Sequence, residues 1–128
     1  MGEEILNPEL QNYLNQQLTN QGIEWFMPYA IMIAWQESQF NQYEVSKDGL
    51  DYGLFQFRME FWDWNRGDIF DPYVQIDVFT ENMGRRANMG LDVYEMISRH
   101  MQSDYGSYNP EYVSDVIKHE PNLRKIEE

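Results

Sequence analysis

Two acidic side chains stand in opposite kinds of sequence. Glu37 closes the apolar run Ala30-Ile31-Met32-Ile33-Ala34-Trp35, and Asp51 follows fourteen positions later in a polar stretch, opening the segment Asp51-Tyr52-Gly53-Leu54-Phe55-Gln56. A carboxyl at the C-terminal end of an apolar helix resists ionisation, because the helix dipole and the low dielectric both oppose a negative charge. A carboxyl in a polar loop ionises readily. One protonated acid beside one anion is what cleavage of a glycosidic bond uses: a proton for the leaving oxygen and relief for the developing oxocarbenium ion. A glutamate at a helix end is ordinarily a solvated surface residue, so it is the apolar run and the residues after it that single out Glu37.

Other chemistries find less support. His100 and His119 are the only histidines, cysteine is absent, and no His-Glu-x-x-His pattern occurs, so no metal site and no cofactor are expected. Both histidines are expected on helix surfaces or at caps. Ser38 has no evident histidine base; it is expected to cap or hydrogen-bond beside Glu37. Arg85 and Arg86 are expected to be solvated or paired with the surplus acids, a sugar or lactyl carboxylate being the other possible contact.

The elements that position these groups can be read from spacing. Asn7-Pro8 is a cap with a proline in the first turn, Gly22 closes the segment, and Leu10, Tyr13, Leu14 and Leu18 share one helical face. Pro28 opens a second helix whose residues from Tyr29 to Trp35 are apolar all round, which predicts burial on every side. Glu37 falls in its last turn. Asn41 to Tyr52 is polar and turn-rich, and Gly53 to Phe57 reads as a short strand of a small β-hairpin. Asp71-Pro72 caps a third helix with Ile76, Phe79, Met83 and Ala87 on its face, closing near Gly90. A fourth runs across Val93, Ile97 and His100. Tyr105 to Asn109 reads as loop, and a last helix starts at Pro110 with Val113, Val116 and Ile117.

These 128 residues make one domain, large enough for a single core. Twenty-two acidic residues against nine lysines and arginines leave a net charge of -13, which repels nucleic-acid phosphates and anionic membranes alike. The longest apolar runs are too short to span a bilayer. The N-terminal Met1-Gly2-Glu3-Glu4 has neither the basic nor the apolar region of an export signal, and the acidic clusters at both ends read as solvated. The four tryptophans, Trp25, Trp35, Trp62 and Trp64, either line a groove for a neutral ring-shaped ligand or fill the core.

The pattern Glu37-Ser38-Gln39-Phe40-Asn41 followed by Gly53-Leu54-Phe55-Gln56 resembles the Glu-Ser-x-Phe-Asn and Gly-Leu-Met-Gln blocks of the lytic transglycosylases, a branch of the lysozyme-like superfamily. Asp71-Pro72-Tyr73-Val74-Gln75-Ile76 resembles that family's Asp-Pro-x-x-Asn-Ile helix start, and Ser107-Tyr108-Asn109 its Ala-Tyr-Asn block. The resemblance covers residues 28 to 116 and implies a mostly α, lysozyme-like α+β fold with a small β-hairpin, in one domain over 1–128. It implies that Glu37 is the catalytic acid/base, that Gln56 lines the saccharide groove, and that Tyr108 and Asn109 pack beside the acid and hold substrate, with Ser38 on the substrate side. The loop Ser46-Lys47-Asp48-Gly49-Leu50-Asp51-Tyr52-Gly53 is one residue longer than the transglycosylase form. It resembles instead the Asp-Gly-x-x-Asp-Tyr-Gly loop of animal-type lysozymes, which implies that Asp51 is a nucleophile or charge stabiliser.

The expected activity is cleavage of the β-1,4 bond between N-acetylmuramic acid and N-acetylglucosamine in bacterial peptidoglycan. It ends either in hydrolysis or in a 1,6-anhydro product, and the residues leave both open. The expected partner is the glycan strand, with no nucleic acid and no membrane insertion, and the chain is expected to work as a monomer. Action at the cell wall without an export signal suggests a phage-borne or mobile-element enzyme, or a domain of a longer exported protein. The rival reading is a non-catalytic glycan-binding or structural module of the same fold; a scaffold unrelated to sugars has only the acidic surface in its favour.

Overall fold

The computed structural model describes residues 5–102 and 106–120. The acidic chain ends and Tyr105 lie outside that set. Helix α1 spans Pro8–Asn20, and Asn7 caps it by accepting the Glu9 N–H at 2.8 Å. Its buried face is Leu10, Leu14 and Leu18, three residues at the helical spacing the sequence predicts. A 3-10 turn at Glu24–Phe26, which the periodicity does not predict, leads into α2, Met27–Ser38. Ala30 to Ala34 are all buried, as expected of a helix with no polar face.

Helix α2 ends abruptly. Gln39 (φ 51°) and Phe40 (φ 67°) both adopt left-handed backbone, a strain of order 1 kcal/mol or more for each non-glycine residue. Burial offsets it, because Phe40 is 6 % exposed and its ring lies 5.2 Å from that of Trp35. The chain therefore leaves α2 directly after Glu37 and Ser38, which keeps the acid in the final turn.

The β element is small. Strands β1 (Asp51–Tyr52) and β2 (Phe57–Arg58) pair antiparallel with Asp51 opposite Arg58, and Val45 bridges to Tyr52. The strand expected over Gly53 to Phe57 is instead a four-residue turn, Gly53 to Gln56, followed by β2. The reason is burial. Leu54 and Phe55 are consecutive and both fully buried, whereas consecutive strand residues point to opposite faces. Gln75 substitutes for a strand neighbour: its Oε1 accepts the Leu54 N–H at 3.1 Å, while its Nε2 donates to the carbonyls of Ile69 (2.6 Å) and Gln42 (3.1 Å). Gly53 (φ +90°) lies so close that a Cβ would stand 2.6 Å from that Nε2.

Helix α3 (Pro72–Asn88) is capped by Asp71, whose carboxylate accepts from Tyr73 and Val74 N–H, and it buries Ile76, Phe79 and Met83. Helices α4 (Val93–Gln102) and α5 (Pro110–Ile117) follow. One core joins them all: α1 packs on α3, α2 and α4 on α5, and Phe55 stacks on Phe79 with ring centres 3.9 Å apart. This is the mostly helical lysozyme-like α+β class. Among the described residues no helix is long and apolar enough to cross a membrane.

Candidate active site

The acid stands where four elements converge. Glu37, at the end of α2, has a side chain 17 % exposed, with its Oε2 3.9 Å from His100 Nε2 on α4. The Tyr112 hydroxyl on α5 donates to the same oxygen at 3.3 Å. Burial pushes the Glu37 pKa up to about 7; the Tyr112 hydrogen bond, which favours the anion, opposes the rise, and the nearby charge of Asp51 adds to it. The carboxyl is therefore about half protonated at neutral pH.

His100 corrects an expectation. It is not a surface or capping residue: its side chain is 7 % exposed, and its Nε2 lies 2.7 Å from the Phe55 carbonyl. A carbonyl only accepts, so Nε2 carries the proton. Burial, aided by the positive charge of Arg86 and opposed by the Phe55 bond, lowers its pKa to about 4, leaving a neutral imidazole beside the acid. Its position on the face shared with Ile97 was the available sign of burial. Of the alternatives expected for Arg86, solvation is excluded, for it is 5 % exposed in α3. His119, whose Nε2 lies 2.7 Å from Gln36 Oε1, is at the end of α5.

Asp51 differs from Glu37 in every respect. It lies in β1, and the Arg58 guanidinium opposite it contacts both oxygens, Nε to Oδ1 at 2.7 Å and a terminal nitrogen to Oδ2 at 3.4 Å. Gln56 (φ 54°) turns its amide inward, donating to the carbonyls of Glu44 (3.1 Å) and Gly53 (3.0 Å). Ser38 is buried, and its hydroxyl is 2.8 Å from the Leu54 carbonyl and 3.1 Å from that of Ala34. It ties the end of α2 to the hairpin turn beneath the acid.

Asn109 caps α5 by accepting the Tyr112 N–H at 3.0 Å, and its own N–H donates to Ser98 Oγ at 2.7 Å. Those two bonds fix the first turn of α5 and aim Tyr112 at Glu37. Tyr108 is 48 % exposed, so the phenol in contact with the acid is Tyr112, which the motif match passed over. Its spacing to Val113 and Val116 on the apolar face of α5 was the signal that could have found it.

A cavity of about 680 Å³ opens beside this cluster, with Asp51, His100 and Arg86 among its lining residues. Glu37 is not on its wall; His100 separates the two. Of the tryptophans only Trp62 lines the cavity, itself 8 % exposed with its ring N–H on the Gly67 carbonyl. Trp35 packs on the core, while Trp25 and Trp64 are half-exposed. Among the described residues no group of three or more His, Cys, Asp or Glu side chains is arranged to hold a metal ion.

Comparison with known families returns one match, a model described as the Transglycosylase SLT domain, over residues 12–110. Neither the curated proteins nor the solved structures yield a match.

Proposed function

The chain belongs to the transglycosylase SLT family, whose members act on the peptidoglycan of the cell wall, and we propose that Glu37 is its general acid/base. The observation that carries this is the half-buried Glu37 carboxyl, with a pKa near 7, between a phenol and a neutral imidazole. In the first step Glu37 gives its proton to the glycosidic oxygen as the bond from C1 of N-acetylmuramic acid breaks, and N-acetylglucosamine leaves. In the second, the muramic 6-hydroxyl oxygen bonds to C1 and its proton returns to Glu37. The product is a 1,6-anhydro end, and the acid is restored.

Asp51 acts in this reading as a fixed negative charge beside the oxocarbenium ion rather than as a nucleophile, because Arg58 engages both of its oxygens. Gln56, Tyr108 and Asn109 serve the glycan groove. Ser38 supports the turn below it. The working unit proposed is a single chain. Hydrolysis is the second reading, with Asp51, whose charge adds to the rise of the Glu37 pKa, as the partner carboxylate.

The test is release of soluble muropeptides from purified sacculi by wild type and by Glu37→Gln. Loss of release in the variant is expected; equal release by both would overturn the assignment and favour a glycan-binding module. Mass spectrometry of the products separates the two endings, since an anhydro end is lighter than a reducing end by one water.

A further inference from the structure

The neutral imidazole of His100 carries one N–H, and two acceptors stand near it. Its Nε2–H donates to the Phe55 carbonyl at 2.7 Å, while Glu37 Oε2 lies 3.9 Å from the same nitrogen, too far for a hydrogen bond. The imidazole is walled by the rings of Phe79, Phe57 and Phe55, whose centres lie 5.5, 6.2 and 6.4 Å away at steep angles to it. Those side chains carry no oxygen or nitrogen. With a side chain 7 % exposed, His100 also has little water to bond.

Glu37 has the complementary need. Once it has given up its proton, the buried anion must be stabilised by fixed dipoles in place of water, and Tyr112 supplies one donor, at 3.3 Å. A cation in contact would stabilise the anion in the resting enzyme and remove the proton in advance. The charges around the pair are arranged against that outcome. From α3, Arg86 disfavours a charged His100; from β1, Asp51 disfavours the Glu37 anion; α5 brings the neutral phenol of Tyr112, the hairpin turn brings the Phe55 carbonyl, and Arg99 precedes His100 on α4. A neutral N–H held by a second acceptor serves the anion without pre-empting the acid.

We propose that His100 is a positioning residue whose Nε2–H passes from the Phe55 carbonyl to the Glu37 carboxylate when the acid ionises. The proposal rests on the general acid/base reading of Glu37. In the resting site the Phe55 carbonyl holds the N–H, and Glu37 keeps its proton. When that proton moves to the glycosidic oxygen, negative charge appears on the carboxylate, and closing the 3.9 Å gap by about 1 Å brings the N–H into bonding distance. The imidazole proton stays on its nitrogen throughout, so the two side chains exchange no proton. Because the bond forms only as charge develops, it lowers the barrier without tightening substrate binding. It lapses when the muramic 6-hydroxyl returns a proton to Glu37.

The experiment follows the Glu37 carboxyl by carbon NMR against pH, with muropeptide release measured alongside, in wild type, His100→Phe and His100→Gln. Phenylalanine keeps a ring among its neighbours without the donor, and glutamine restores an N–H that does not titrate. In His100→Phe the Glu37 midpoint is expected to rise from about 7 by about one pH unit, the scale of one hydrogen bond to a charged group. The same variant should lose about tenfold in kcat at unchanged KM, and His100→Gln should recover most of both changes. A midpoint and kcat unmoved in His100→Phe would overturn the proposal, as would losses in His100→Gln equal to those in His100→Phe, the result that a packing role alone produces. Should His100→Phe fail to fold, the wild type decides. Its imidazole Nε2–H resonance is expected to move downfield with the midpoint of the carboxyl, and a resonance fixed through that titration overturns the transfer. If the wild type releases no muropeptides, the glycosidase reading fails on its own, and the carboxyl titration still decides the bond.

Discussion

Glu37 and Asp51 are both carboxyls near one cavity, Asp51 on its wall and Glu37 off it, and their surroundings are inverted. Glu37 emerges from a helix with no polar face and meets the phenol of Tyr112 and a neutral His100. Asp51 emerges from a two-residue strand and meets a guanidinium on both oxygens. Desolvation holds the first near half protonation at neutral pH, while the second is engaged in an ion pair with Arg58. The difference shows that acid and counter-charge are assigned by what each element buries rather than by residue type. It also shows why the two must stay apart in the fold: an arginine as close to Glu37 as Arg58 is to Asp51 would remove the proton that the reaction needs.

The hardest blow to this contrast is Glu37→Gln, expected to lower muropeptide release by about two to four orders of magnitude. Asp51→Asn should cost about tenfold, because a stabilising charge is lost but no bond-forming group; a loss as deep as that of Glu37→Gln would make Asp51 a nucleophile and move the reaction toward hydrolysis. Stability should move the other way. The unfolded chain ionises Glu37 near its ordinary 4.5 and the native chain only near 7, so this group's contribution falls as pH rises through that window. Glu37→Gln should therefore be about 3 kcal/mol more stable than wild type at pH 8, measured by urea denaturation.

His100 has the opposite sign. Its pKa drops from 6.5 to about 4 on folding, so its contribution is lost as pH falls through that range. The two slopes oppose each other between about pH 4.5 and 6.5, and Glu37→Gln should expose the His100 slope as a stability that declines on acidification. The activity profile tests the same proton, for kcat/KM should fall as pH rises through about 7. The smallest effect is expected of Tyr112→Phe, which removes a bond that favours the Glu37 anion and should shift that limb upward by a fraction of a pH unit. A downward shift would mean that Tyr112 acts on the acid by some route other than its hydroxyl.

Much of the scaffold was legible because it follows periodicity. The faces of α1 and α3, the caps at Asn7 and Asp71 and the all-apolar α2 are statements about neighbours three and four residues apart, which a sequence carries directly. The turn at Gly53 to Gln56 was misread because a short apolar run does not reveal which residues bury together. Leu54 and Phe55 enter the core as a pair only because Gln75, twenty-one residues beyond Leu54, supplies the missing hydrogen-bond partner. The third helix start carries glutamine where the resembling family has asparagine, and that longer amide spans three backbone groups.

The sequence by itself determined that an acid would end a buried helix, since Glu37 stands two positions after the apolar run Ala30 to Trp35 and a helix dipole points its negative end there. It also determined the caps, the class of fold and the family, because these depend on local spacing and on motifs contiguous in the chain. The tertiary structure alone decided which groups would face that acid. Tyr112 and His100 lie far along the chain on separate helices, and only the packing of α4 and α5 against α2 brings them to one carboxyl oxygen. The pKa of Glu37 is therefore a property of the packed core: burial is its largest cause, and burial exists only once distant segments have closed over the residue.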